Sequence, residues 1–181
     1  MSRERASALR ALIRTIPDYP KPGILFRDIT TLLLDARGFR EAVEGLAEPF
    51  REQRVDKVAG IEARGLILGG AVALALGAGF APIRKRGKLP WQTIGEDYAL
   101  EYGSDRIEMH RDAVAPGERV LLIDDLVATG GTAEAAIRVI ETLGGELVGC
   151  ACIVDLPDLG GSRRIAALGH PLVSLVAFEG E

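Results

Sequence analysis

Cysteine is scarce in this chain: two in 181 residues, Cys150 and Cys152, both inside the apolar run LVGCACIVDL. With two histidines in the whole sequence, a C-x-C pair makes a poor zinc site. Residues two apart in a strand point the same way, so both thiols are expected on one buried face, as usage suited to a reducing cytoplasm. Positive charge is not in excess either. The balance of 22 basic against 26 acidic residues gives a net charge of -4. That argues against a nucleic-acid binder, whose affinity rests on neutralising phosphates, and leaves room for a small, locally basic site. A long uninterrupted apolar run is also missing. The segment GLILGGAVALALGAGFAPI is near membrane length but holds five glycines and a proline, between Arg64 and the basic RKRGK. It reads as a helix followed by a strand, not a membrane span. The start, MSRERASALRALIRTIPDYP, is charged and amphipathic, unlike a secretory signal. Internal repeats, low-complexity tracts and domain boundaries are absent, and the length fits one domain.

What the chain does have is a composition able to bury a core, 48% hydrophobic and 27% charged. Helix-period and strand-like segments alternate almost throughout. Leu9, Leu12, Ile13 and Ile16 predict a helix over 2–16 that stops at Pro17. ILFRDITTLL reads as a short extended piece leading into a turn. Asp35 is a candidate N-cap for a helix over 37–53, with Phe39, Val43, Leu46 and Phe50 on one face. DKVAGI and FAPIRK read as strands around a buried helix, ARGLILGGAVALALGA. RGKLPWQTIGEDY reads as an exposed, mobile loop. ALEY and RIEMHRDA resemble an antiparallel pair turning at Gly103-Ser104-Asp105. RVLLIDDL is a strand, 132–143 a helix, ELVGCACIVDL a strand, SRRIAAL a short helix and LVSLVAF a last strand. Such alternation implies an α/β fold, a mainly parallel central sheet flanked by helices.

The stretch RVLLIDDLVATGGT carries the chemistry. Ligands of open α/β sheets bind beyond the carboxyl ends of the strands, where Asp124 and Asp125 fall. Thr129, Gly130, Gly131 and Thr132 then turn into a helix. Glycines allow close backbone approach, and the first helical N–H groups lack internal partners. With the helix dipole and threonine hydroxyls this makes a phosphate cradle. Acids beside a phosphate make sense if the ligand also carries hydroxyls or a metal. A ribose 5-phosphate, with Mg²⁺ nearby, has both features. A plain capping turn accounts for one Thr and one Asp, not for DDLVATGGT as a whole. GLILGGA has Ala71 where a P-loop requires lysine, and GAGFAP has Pro82 where a dinucleotide fingerprint needs glycine.

VLLIDDLVATGGT resembles the phosphoribosyl-pyrophosphate (PRPP) motif of the type I phosphoribosyltransferases. YPKPGILFRDIT, GIEARG, PIRKRGKLP and YALEYGSDRIEMHRDAVAPGERV, in that order, are similar to the adenine phosphoribosyltransferases, over roughly residues 17 to 179. The resemblance implies the type I fold with a small hood over the base site, built from about 1–34 plus C-terminal segments. It also implies a flexible catalytic loop at about 87–104 and a cytoplasmic homodimer.

The implied activity is purine salvage: adenine and PRPP give AMP and pyrophosphate with Mg²⁺, through an oxocarbenium-like transition state. Ala128, Thr129, Gly130, Gly131 and Thr132 would hold the 5-phosphate, and Asp124 and Asp125 the ribose hydroxyls. Arg64, Arg84, Lys85, Lys88 and Tyr102 would face pyrophosphate, Arg64 also serving catalysis, with a non-proline cis peptide expected around Glu62-Ala63. Leu25, Phe26, Arg27 and Leu156 would form the adenine pocket, Phe26 and Leu156 on its two sides. Glu101 would manage the proton of the purine imidazole ring. No firm protein ligand to the metal is implied, Mg²⁺ being held mainly by PRPP and water. Two alternatives remain: a PRPP-dependent transferase for another purine, and a non-catalytic PRPP-sensing regulator, which would be expected to add a basic DNA-binding segment.

Overall fold

The computed structural model describes residues 2–99 and 104–179. Seven strands form one sheet and two more form a separate ribbon. The chain opens with helix α1 (Arg3–Ala11), whose N-cap Ser2 accepts from the Arg5 N–H at 3.3 Å. Contrary to the helical reading of 2–16, α1 stops at Ala11, and β1 (Arg14–Pro17) follows. β1 pairs antiparallel with β2 (Leu25–Asp28), setting Thr15 opposite Arg27 and Ile16 opposite Phe26. A short helix α2 (Thr30–Leu34), not foreseen, leads to α3 (Ala36–Ala47). Asp35 caps α3 as expected, accepting from the Gly38 N–H at 2.6 Å. Pro49, which lacks an N–H, sits in the 3-10 turn Glu48–Phe50 that ends the helical run short of residue 53.

From there the pattern is strand–helix–strand: β3 (Lys57–Ile61), α4 (Arg64–Leu76), β4 (Gly79–Lys85), then the hairpin β5 (Thr93–Ala99) and β6 (Ser104–His110). β7 (Arg119–Val127), α5 (Gly131–Thr142), β8 (Glu146–Asp155), α6 (Gly161–Ala167) and β9 (Leu172–Ala177) complete it. The sheet order is β5-β6-β4-β3-β7-β8-β9. The β4–β3–β7–β8–β9 block is parallel, and the hairpin adds on antiparallel. An antiparallel pair was expected of ALEY and RIEMHRDA, but residues 100–102 lie outside the described residues, Ser104 and Asp105 begin β6 rather than a turn, and its partner Thr93–Ala99 is a strand rather than part of a mobile loop.

Strand alternation divides the core in two. Leu121 and Ile123 of β7 join the cluster that includes Leu9, Leu32, Leu46 and Leu68, from α1 to α4. Val120 and Leu122 join the opposite cluster, with Ile137 and Ile140 of α5 and Ile165 of α6. Cys150 and Cys152 both lie in the α5-side cluster, on one face as expected. Burial pushes the Cys150 thiol up to about 12 and that of Cys152 well above its usual value, so both are inert packing groups. Among the described residues no helix is long and apolar enough to cross a membrane.

Candidate active site

The alternation along β7 continues into the strand end. Asp125 shares the parity of Leu121 and Ile123, so it faces the α4 side, where α4 begins with Arg64. There Arg64 Nε donates to Asp125 Oδ2 at 2.6 Å, and Asp125 is 6% exposed. Asp124 shares the parity of Leu122 and lines a cavity with Leu126 to Ala133, the strand end and the first turn of α5. Its carboxyl is pushed well above the usual carboxylate range, first by burial and then by the adjacent Asp125 charge. The two acids divide the labour of this strand end: one pairs with a guanidinium, the other faces the cavity.

Ala128, Thr129, Gly130, Gly131 and Thr132, the residues from which a phosphate cradle was expected, all line that cavity. Gly130 adopts φ +78, and a Cβ there would come within 2.9 Å of the Gly161 Cα. Only glycine meets both demands. The sequence reading had no role for Gly161, yet its N–H donates to the Ala128 carbonyl at 2.9 Å and ties α6 to the cradle. Gly65 is constrained by close approach alone. A Cβ there would stand 2.9 Å from the Ile123 carbonyl oxygen, so glycine lets α4 start against the end of β7.

On the far side of Arg64, the Glu62-Ala63 peptide is cis, where the resemblance put it. Glu62 itself, which sequence reasoning passed over, gathers the basic segment. Its carboxylate accepts from Lys88 Nζ at 2.6 Å, Arg84 Nε at 3.1 Å and the Lys85 N–H at 2.9 Å. Burial alone would raise the Glu62 carboxyl, but these donors outweigh it and lower it from 4.5 to about 2. Lys85 Nζ turns instead to Asp105 at 2.9 Å, and Tyr98 donates to the same carboxylate at 3.1 Å. Arg84, Lys85 and Lys88 are thus brought together on two acids. Strand pairing is what reveals Glu62 and Asp105, because the basic partners of Glu62 lie 22 to 26 residues away and Lys85 lies 20 residues from Asp105 in the chain.

Phe26 of β2 is half-buried, and its ring meets Tyr19 edge-on at 5.2 Å. Leu25 is 37% exposed and Arg27 half-buried. Leu156, just beyond β8, is half-buried and donates its N–H to the Val127 carbonyl at 3.0 Å. Glu101 and Tyr102 lie outside the described residues. Among the described residues no three His, Cys, Asp or Glu side chains gather as a metal-binding group.

A phosphoribosyl transferase domain model matches residues 30–167. The chain is 62% identical to the adenine phosphoribosyltransferase of Maricaulis maris over 172 residues, covering 95% of this chain and 98% of that one. The chain belongs to the adenine phosphoribosyltransferase family. Solved members of the family share its fold. The crystal structure of the Rhodothermus marinus enzyme superposes with a TM-score of 0.92 at 52% identity, over 98% of this chain and 100% of that one. The Saccharomyces cerevisiae enzyme, complexed with an imino-altritol bisphosphate and adenine, gives 0.88 at 35% identity over 95% and 98%. The chain has the type I fold of the family, a mostly parallel sheet flanked by helices.

Proposed function

We propose that the protein transfers the 5-phosphoribosyl group of PRPP to adenine, giving AMP and pyrophosphate, as a cytoplasmic purine-salvage enzyme. The observation that carries the reading is the union of Asp124 and a glycine-turned helix start in one cavity, with Asp125 beside it paired to Arg64. A phosphorylated pentose is the ligand that uses both halves.

In this reading the backbone N–H groups and hydroxyls of Ala128 to Thr132 hold the 5-phosphate. Asp124 and Asp125 accept from the ribose hydroxyls. Their negative field favours the positive charge that develops on the sugar as its bond to pyrophosphate breaks. Arg64 and the Arg84, Lys85 and Lys88 cluster receive the leaving pyrophosphate, which must compete with Glu62 and Asp105 for these cations. Tyr102 is proposed to assist there, and Glu101 to manage the proton on the purine imidazole ring. Phe26 and Leu156 form the two walls of the base slot, with Leu25 and Arg27 reading the base edge. The hood is about residues 1–34 with C-terminal segments, and the catalytic loop, expected at about 87–104, takes in the strand β5.

Mg²⁺ is the proposed cofactor. It is a hard cation that keeps several waters and commonly arrives on substrate phosphates. The oxygen donors here, Asp124 and an Asp125 already paired with Arg64, fit a minor protein share in holding it. When bound it neutralises charge on the pyrophosphate.

We further propose a homodimer through α3 and α4. α4 was expected to be buried, yet Ile67 is 52% and Leu74 85% exposed, beside an apolar groove containing Phe39 and Val43. Formation of AMP and pyrophosphate by the purified protein, dependent on PRPP and Mg²⁺, tests the catalytic reading. Absence of product under saturating substrates would refute it.

A further inference from the structure

Phe178 lies one residue beyond β9 and is 5% exposed. It belongs to no part of the site described so far, yet it touches both sides of the proposed base slot. Its backbone N–H donates to the Asp155 carbonyl at 3.0 Å, and Asp155 immediately precedes Leu156. Its ring carries the Arg27 guanidinium, with Cζ 4.3 Å from the centroid. Arg27 follows Phe26 on β2, the strand of the opposite wall. A second guanidinium, Arg10 of α1, stands over the same ring at 4.2 Å and donates from Nη1 to the Ala177 carbonyl at 2.7 Å. One aromatic residue therefore joins α1, β2 and the end of β8.

What holds Arg27 makes the contact consequential. Its Nη1 donates to Thr15 Oγ1 at 2.6 Å, but its Nε is buried without an acceptor. Burial, and after it the positive charge of Arg10, disfavour its charged form. A guanidinium so placed depends on the negative face of the Phe178 ring for compensation. Losing that face leaves two like charges close together with less to hold either. β2 would then be free to shift relative to Leu156, and the width of a slot between two walls is what a planar base senses.

We propose that Phe178 is a positioning residue for base binding: by holding Arg27 and Asp155 at once, it sets the spacing between the Phe26 and Leu156 walls. The proposal rests on the reading of those walls as the adenine pocket.

Steady-state kinetics of four variants of the full chain test it. Phe178→Leu keeps an apolar side chain but loses the ring face, so the adenine KM should rise about five-fold or more while the PRPP KM stays within about two-fold. Phe178→Tyr should restore the adenine KM. Phe178→Met, which also loses the ring face but fills more of its space, should give a similar rise in adenine KM alone. It decides the matter if Phe178→Leu does not fold. Phe26→Ala, which strips one wall directly, should raise the adenine KM most. If Phe26→Ala raises it and neither Phe178→Leu nor Phe178→Met does, the positioning role is overturned and the pocket stands. The role is likewise overturned if the adenine and PRPP KM values rise together in Phe178→Leu, as a general loosening would cause. If Phe26→Ala leaves the adenine KM unchanged, the pocket reading falls and the proposal falls with it.

Discussion

At position 62 a single carboxylate, 11% exposed, takes hydrogen bonds from Lys88, Arg84 and the Lys85 backbone. Because its folded pKa is lowered from 4.5 to about 2, the folded protein binds fewer protons there than the unfolded chain between those values. The stability it contributes is complete above 4.5 and is lost as the pH falls toward 2. Glu62→Gln should therefore lower the Tm at neutral pH, with the gap to the parent protein narrowing steadily below pH 4.5. Thermal melts across that range check it, and a gap independent of pH would contradict it. Glu62 also shows what residue-level reading misses. Asp124, Asp125 and Gly130 are legible because their neighbours in the chain state their role: an apolar run before them and a helix after. Glu62 acts through residues on a different strand, and only pairing reveals it. The sequence reading gave Asp124 and Asp125 one shared role, whereas the structure pairs Asp125 with Arg64 and leaves Asp124 lining the cavity.

Among the elements, those with long apolar runs or strong caps were foreseen: β7, β8, α4 and the Asp35 start of α3. β1 and β5 were not. β1 is four residues attached to a helical pattern, and its strand character comes from pairing with β2. β5 carries Gly95, Glu96 and Asp97 in succession, poor strand formers, and is held by the β6 register from Thr93↔His110 to Ala99↔Ser104. Tertiary pairing overrode local propensity in both. The β5–β6 hairpin meets the site directly, because Asp105 holds Lys85 and Tyr98 lies beside Gly131 of the cradle. Drawing Lys85 toward a pyrophosphate would strip Asp105 of its partner and disturb the hairpin. Trp91, the sole tryptophan, precedes β5, is 56% exposed and meets His110 edge-on at 6.4 Å. Its fluorescence should shift when PRPP and Mg²⁺ are added. A spectrum unchanged at saturating PRPP would contradict this response.

At the scale of the whole molecule, the alternation of strand and helix segments made the class of fold legible, while the order of the strands in the sheet was not read from it. The outer face of α4 was not legible either. A segment apolar all round reads as buried, and its sequence does not say that Ile67 and Leu74 would be left uncovered. A two-fold interface uses the same patch twice, so one apolar face suffices for a dimer. Sedimentation should give twice the 19.3 kDa chain mass, and Leu74→Lys with Ile67→Glu should reduce it to the single chain. A parent protein that sediments as one chain would contradict the interface.

The central claim joins the phosphate cradle to an adenine-selective pocket, and pyrophosphate release tests both together. With PRPP and Mg²⁺, adenine should support turnover while guanine, hypoxanthine and xanthine at equal concentration do not. Turnover with another purine in place of adenine would contradict the pocket at Leu25 to Arg27. Binding of PRPP without turnover on any base would contradict the enzyme.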